Sequence, residues 1–507
     1  MTSKMKRILL LILTLSITLG AQSQSLRKRE FRGAWIHTVG NQQFKNMSAD
    51  SIKSLLIKTL DNFSKAGVNA VIFQVRPQAD AFYISDIEPW SRFLSGEQGV
   101  APKEIWDPLL FMIEESHKRG MELHAWCNPY RVTSSDKEQL HPNHLYFKKP
   151  EIFRKYGKQL YFDPGEPESI EHTVKVIADI VSRYDVDAIH FDDYFYPYPI
   201  AFEEFHDDAS FVKYAAKQGF EYWQKGDWRR NNVATLIKEL NDTIKAIKPW
   251  VRFGISPFGI HRNLKDTPDG SGSKTNGLSN YEQLFADIPH WLKMGWVDYN
   301  VPQLYWKIGH PAADYKTLIE WWSNGNFGRH LYIGQNISTF REPDIENPGR
   351  SQFMTKMEMT RTLSNVHGNV WWPGWTLNSN PEGFTDSLAV NYQRNPAIIP
   401  AYDFLDSVAP EPVSNIRFRG GILEWSHPYF INGADKLQEP QFFAVYRFPA
   451  EVEPDYENSE YLYKIVQGRT LQLEKQSGKR NKYKYTVTAI DRCRNESSPG
   501  KLVSSSY

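Results

Sequence analysis

The stretch "IHFDDYFYPYP" (Ile189–Pro199) ends an apolar run on two adjacent carboxylates, Asp192 and Asp193, and follows them at once with aromatic rings and prolines. A carboxylate withdrawn from water is costly unless it finds a partner or keeps its proton. Two held side by side cannot both ionise easily. One is pushed toward the protonated state a general acid needs near neutrality, and the other stays available to stabilise or trap positive charge. That separation of roles suits cleavage of a glycosidic bond. Successive strand residues alternate faces, so one aspartate is expected to face inward while its neighbour sits at the rim. A third carboxylate, Glu88 in "DIEPWSRFLSG", has two readings: a second catalytic group facing the Asp pair, or one half of an ion pair with Arg76 or Arg92. A metal site is the competing use of the pair. His37, His124 and His190 fall on three separate runs without H-x-H or H-E-x-x-H spacing, so no metal and no cofactor are expected.

The elements that must position these groups can be read from the hydrophobic pattern. Eight short apolar runs recur between residues 31 and 400: "RGAWIHTV", "AVIFQVRP", "ELHAWCNPY", "AIHFDDYFY", "RFGISPFGI", "VDYNVPQLYW", "HLYIGQNI" and "NVWWPGWT". Amphipathic stretches separate them, such as "SADSIKSLLIKTLDNFSKAG", which opens on Ser48 as an N-cap and closes on Gly67. Alternating strand and helix patterns of this number predict an α/β fold, a (β/α)8 TIM barrel enlarged by insertions. A doubly wound open sheet is disfavoured because no Gly-rich phosphate loop follows the first run. Each run starts apolar and ends polar: His37 and Thr38, Gln74 and Arg76, Asn128 and Arg131, the Asp pair, Ser256, Gln303, Gln335 and Asn336. Barrel active sites form at the C-terminal strand ends, where this polarity lies.

The chain has 507 residues and a formal net charge of +1, which gives no electrostatic bias toward nucleic acid. Lys4, Lys6 and Arg7 precede an apolar run from Ile8 to Leu19, and small residues follow. That run is shorter than the roughly 20 residues a membrane span needs and reads as a cleaved export signal over residues 1–24. No cysteine lies near the cleavage region, so lipid attachment there is not expected, and Cys127 and Cys493 fall in different predicted domains and should not pair. The barrel is expected over 28–402. Beyond about residue 402 the helical period stops, and alternating segments predict a small all-β immunoglobulin-like sandwich over 408–507. This part resembles a fibronectin type III domain, with Trp425 as its core tryptophan. The resemblance implies that Tyr483 is its tyrosine-corner residue. The sandwich is expected to space or dock the barrel, and truncation after Tyr402 to leave turnover within about threefold.

The barrel segments "REFRGAWIHT", "VIFQVRPQADAFYISDIEPWSRFLSGEQG", "WDPLLFMIEESHKRGMELHAWCNPYR", "DAIHFDDYFYPYP", "GISPFGIHRN", "VDYNVPQLYW" and "IGQNI" together resemble the bacterial glycosyl hydrolase-like 10 family. The resemblance implies a glycan-cleaving barrel whose cleft holds Arg76, Asp80, Glu88, Asn128, Arg131, Asp192, Asp193, Gln303 and Tyr305. The neighbouring rings of Trp90, Tyr194 and Trp306 offer flat faces for sugar. The expected substrate is a polymer of N-acetylated amino sugars, foremost the glycan strands of peptidoglycan, met outside the cytoplasm in the periplasm or envelope. Two other readings stay open: a non-catalytic glycan-binding envelope protein, and a metal-dependent deacetylase or amidohydrolase with His37, His124 and His190 as ligands.

Overall fold

The computed structural model describes residues 26–41, 43–345, 349–432, 435–473 and 482–505; the leader expected over 1–24 lies outside them. Eight parallel strands close into a barrel: β1 (Phe31–Ile36), β2 (Ala70–Arg76) and β3 (Glu122–Cys127), then, after an inserted hairpin of β4 (Phe153–Tyr156) and β5 (Gln159–Phe162), β6 (Ala188–Phe191), β7 (Arg252–Ile255), β8 (Tyr299–Asn300), β9 (His330–Asn336) and β10 (Gly368–Trp372). Each of the eight apolar runs supplies one of these strands. All residues of β1, β2 and β3 are buried, as expected where side chains pack the interior on one face and helices cover the other.

Among the covering helices are α1 (Ala49–Lys65), α2 (Pro108–His117), α3 (Pro167–Arg183) and α4 (Lys225–Ile247). The Ser48 hydroxyl caps α1 by accepting from the Ser51 N–H at 3.2 Å. Asp107 caps α2 in the same way, with Pro108 at the first helical position. The chain leaves α1 through Gly67 at φ +79°, where a Cβ would meet the Gln393 carbonyl oxygen at 2.6 Å, so only glycine fits.

The C-terminal strands are β11 (Ser414–Arg419), β12 (Ile422–Ser426), β13 (Phe442–Pro449), β14 (Leu462–Val466), β15 (Thr470–Gln472), β16 (Tyr483–Ile490) and β17 (Val503–Ser505). They form a three-stranded sheet, β11-β12-β15, and a four-stranded sheet, β14-β13-β16-β17. Leu423, Trp425, Phe443, Val445, Tyr485 and Val487 belong to one buried cluster that joins the two sheets. Tyr485 is the buried tyrosine of β16, whereas Tyr483 is half-buried at the strand's start beside Arg447.

The sandwich does more than space the barrel. The loop after β16 inserts Arg494 into the N-terminal end of the barrel, opposite the polar strand ends. Its guanidinium pairs with Glu122 and donates to the Asp187 carboxylate at 2.8 Å, while Gln441 at the head of β13 donates to the same carboxylate at 2.7 Å. Arg252 completes the pairing of Glu122 at 2.7 Å, and His117 that of Asp187 at 2.8 Å. Burial pushes the Glu122 carboxyl up, but Arg252 and Arg494 outweigh it and hold it at about 2. Cys493 in this loop accepts a backbone bond from Tyr402, and both cysteine thiols are buried and free.

Of the two roles expected of the sandwich, spacing and docking, these contacts fit docking. Truncation after Tyr402 takes Arg494 from both Glu122 and Asp187 and leaves them to Arg252 and His117 alone, and losing one partner of a buried charge network costs on the order of 3–5 kcal/mol. With a total stability of roughly 5–15 kcal/mol for a typical domain, the isolated barrel is expected to lose its cooperative thermal transition in circular dichroism. A truncated barrel that melts near the full chain would show the seam to be dispensable.

Candidate active site

Strand pairing decides where the Asp pair points. The ladders from β6 to β3 and to β7 both end at Phe191, so Asp192 and Asp193 lie just past the last paired residue. The alternation rule that predicted one aspartate inward and one at the rim holds only inside a pleated strand. Released from the ladder, both side chains enter one cavity of about 380 Å³ at the C-terminal mouth of the barrel. Both are buried.

Of the residues singled out from the sequence, Arg131, Asp192, Asp193, Tyr194, Gln303 and Tyr305 line this cavity. Gln303 donates from Nε2 to Asp192 Oδ1 at 3.1 Å and to the Ser256 carbonyl at 2.9 Å. The Asp193 N–H donates to Asp192 Oδ1 at 2.9 Å, and the Tyr198 hydroxyl donates to the Asp193 carboxylate. The Arg131 guanidinium lies 4.7 Å from the centre of the Tyr194 ring and favours the ionised form of Asp192. Burial, then the charge of Asp192, push the Asp193 carboxyl well above the ordinary carboxylate range. Burial also raises Asp192, though its hydrogen bonds from Asp193 and Gln303 oppose this. Of the two carboxyl groups Asp193 is raised the further, which makes it the member of the pair that favours the protonated form.

Arg76, Asp80, Glu88, Trp90, Asn128 and Trp306 do not line the cavity. Arg76 grips Glu88 through two bonds, Nε to Oε2 at 2.8 Å and Nη2 to Oε1 at 2.5 Å, and His172 reaches Oε1 at 2.9 Å. Burial favours the neutral acid, but Arg76 and then His172 hold Glu88 well below the ordinary carboxylate range. Of its two readings the catalytic one gives way to the ion pair, because a bidentate guanidinium occupies both oxygens. Asn128 supports the neighbouring loop by donating to the Pro77 carbonyl at 3.1 Å. Burial raises Asp80 to about 6, against its hydrogen bond from Ser91. Trp90 forms a backbone bridge with Ala81, and Trp306 packs edge-on against Phe258 with ring centres 5.3 Å apart.

The three histidines of the metal reading do not converge. His124 and His190 lie inside the barrel with both ring nitrogens engaged: His124 with Tyr299 and Glu122, His190 with Tyr299 and Ser256. His37 sits at the mouth against the Trp372 ring, 4.9 Å between centres. Among the described residues no group of three or more His, Cys, Asp or Glu side chains is placed to hold a metal ion.

The sequence left unnamed the rings that form much of the wall. Trp35, Trp126, Trp372 and Tyr198 line the cavity together with Val39, His37, Gln74 and Ser256. Trp35 and Trp126 were hidden in apolar runs, where an indole reads as core. Their signal was the two-residue period, which places Trp35 with His37 and Trp126 with Asn128 on the inward face. Gln74 is buried, and its Oε1 accepts from the Thr38 and Val39 N–H groups at 2.9 and 2.8 Å. That fixes the amide so that Nε2, a donor without a partner among the described residues, is left for an occupant of the cavity.

The Glu88 ion pair gives a stability test with a definite sign. A depressed carboxyl contributes stability that is complete above the ordinary value of 4.5 and is lost as acid protonates the folded group. Glu88→Gln leaves Arg76 buried without its partner and is expected to cost about 3–5 kcal/mol at pH 7, less at pH 3, read by denaturant melts at both pH values. A variant as stable as the wild type at pH 7 would mean that the pair carries no stability.

The family described as Glycosyl hydrolase-like 10 matches residues 30–351. Glycosyl hydrolase YngK of Bacillus subtilis (strain 168) is 41% identical over 97% of this chain and 96% of its own length. Glycosyl hydrolase DigH of Escherichia coli (strain K12) is 35% identical over 67% of this chain and 82% of its own. Among solved structures, the glycoside hydrolase domain of PgaB (BpsB) from Bordetella bronchiseptica covers 71% of this chain and 99% of that one, with 10% identity and a TM-score of 0.45. The family-model match over residues 30–351 and the two sequence relatives lead to one assignment: the chain belongs to the glycosyl hydrolase-like 10 family.

Proposed function

We propose that the protein hydrolyses glycosidic bonds in a polymer of 2-acetamido sugars, the glycan strands of peptidoglycan foremost, outside the cytoplasm. The observation that carries this reading is the Asp192–Asp193 pair, two adjacent buried carboxyl groups lining one cavity walled by indoles, both pushed up by burial. Glycosidases that lack a second carboxylate across the cleft can use the substrate's own acetamido group as nucleophile. With Glu88 committed to Arg76, this route needs no other carboxylate. Asp193, which holds the proton, serves as the acid. Asp192, kept the more acidic by Gln303 and Arg131, accepts the acetamido N–H.

In the first step the acetamido carbonyl oxygen forms a bond to the anomeric carbon as the bond to the leaving oxygen breaks, and the Asp193 proton passes to that oxygen. Asp192 stabilises the positive charge left on the cyclised acetamide. Water then attacks the anomeric carbon, gives its proton to Asp193 and releases the acetamido group. Gln74 Nε2 and the three indoles suit an acetamide, with a donor for its oxygen and an apolar wall for its methyl group. The basic and apolar N-terminal stretch supports export. The three-plus-four arrangement of the C-terminal sheets supports the fibronectin type III-like reading of the sandwich.

Mass spectrometry of digests of peptide-free glycan strands tests the reaction, and the same strands after chemical N-deacetylation test the nucleophile. Deacetylation is expected to lower kcat/KM by a hundredfold or more, since the intramolecular nucleophile is lost. Equal rates on both would sink the acetamide route. Asp193→Asn and Asp192→Asn should each keep the wild-type melting temperature or exceed it, because like-charge strain is relieved. Each should lose on the order of 10²- to 10⁴-fold in rate and one limb of a bell-shaped pH profile that belongs to the pair. Variants that melt normally and still hydrolyse glycan at near wild-type rate would make the pair structural.

A further inference from the structure

A line of buried hydrogen bonds runs down the barrel axis from the cavity to the seam with the sandwich. At its upper end His190 Nε2 meets Trp35 Nε1 at 3.2 Å and Ser256 Oγ at 2.9 Å. His190 Nδ1 meets the Tyr299 hydroxyl at 3.0 Å, and the same hydroxyl meets His124 Nδ1 at 2.8 Å. His124 Nε2 reaches Glu122 Oε2 at 2.7 Å, and Glu122 is held by Arg252 and by Arg494 of the sandwich. Every one of these side chains is at most 2% exposed.

The protons in this line follow from donor chemistry. An indole nitrogen only donates, so His190 Nε2 must be bare and its proton sits on Nδ1. That proton goes to the Tyr299 oxygen, the Tyr299 proton to His124 Nδ1, and the His124 Nε2 proton to an ionised Glu122. The whole line has one polarity, and the charge on Glu122 sets it. Were Glu122 to take up a proton on Oε2, the oxygen that meets His124, that O–H would face the His124 Nε2 proton. Relieving that clash reverses each link and brings a His190 Nε2–H against the Trp35 N–H. The upper end reaches the proposed acid–base pair through two residues, Ser256 and Gln303. Ser256, whose hydroxyl meets His190, accepts at its carbonyl from Gln303, and Gln303 also donates to Asp192.

We propose that Arg494 of the C-terminal sandwich is a positioning residue for the distant cavity: paired with Glu122 beside Arg252, it helps to hold the carboxylate that fixes the tautomers of His124 and His190 and, through Ser256 and Gln303, the placement of Asp192. The functional half of this statement rests on the reading of Asp192 given above. The tautomeric half does not.

The test uses the full chain with ¹⁵N-labelled histidine, whose nitrogen shifts and two-bond couplings separate the two neutral tautomers. The signals are assigned from His190→Gln and His124→Gln. In the wild type His190 is expected as the Nδ1–H form and His124 as the Nε2–H form. Arg494→Met should convert or mix the His190 tautomer, lower kcat about tenfold and leave KM within about twofold. Arg494→Lys should restore the wild-type tautomer and most of kcat. Tyr299→Phe cuts the line above the seam without touching the Arg494 ion pairs. It should lower kcat by a similar factor, and it decides the matter if Arg494→Met does not fold. A folded Arg494→Met or Tyr299→Phe protein with wild-type kcat would overturn the positioning role, and an Nε2–H His190 in the wild type would overturn the polarity. If the wild type hydrolyses no acetamido glycan, the spectra still decide the tautomers, so failure of the substrate reading is distinguished from failure of the relay.

Discussion

Carboxylates taken out of water survive in two ways, by pairing with a cation or by keeping a proton, and the two ends of this barrel use one each. At the N-terminal end Glu122 and Asp187 are surrounded by Arg252, Arg494 and His117 and remain ionised. At the C-terminal end Asp192 and Asp193 have chiefly each other, with a glutamine and a tyrosine at their edges and Arg131 at a distance, and so they retain a proton. The same low dielectric strengthens the ion pairs of the first arrangement and raises both carboxyls of the second. Most of the polar architecture follows from keeping these two sites apart on one set of strands.

Much of this was legible in the sequence, for identifiable reasons. All eight runs became strands because a parallel barrel buries both faces and so demands continuous apolar segments. The polar trailing ends gather at the mouth that holds the cavity: Gln74 and Ser256, read from the sequence only as hydrogen-bonding groups, line it together with Gln303, which the family resemblance places in the cleft. What could not be read was direction and partnership. Whether Asp193 turned inward depended on where the ladder of β6 stopped, a property of the neighbouring strands. Whether Glu88 faced substrate or Arg76 depended on the path of a loop. The partner of Glu122 lies 372 residues away in another domain, and no local pattern encodes a distance of that kind.

The contacts by which the sandwich docks are illegible in the sequence for a related reason. Its strands alternate as an independent β domain should, and its tryptophan and tyrosine rings are ordinary core. The residues that tie it to the barrel sit in connecting segments, Gln441 before β13 and Arg492 to Arg494 after β16, where charge normally means solvent. Only the complementary burial of Glu122 and Asp187 gives these loop residues a meaning.

The distance between Glu122 and Arg494 also bears on the order in which the molecule is made. The strand carrying Glu122 is synthesised in the first quarter of the chain; Arg252, one of its two cations, follows about halfway along, and Arg494, the other, only after the sandwich strand β16. Until Arg494 arrives the barrel has its closing strand but only part of the positive charge that lines its floor. In a chain emerging from a ribosome, the barrel's charge pairing is completed by a domain made after it.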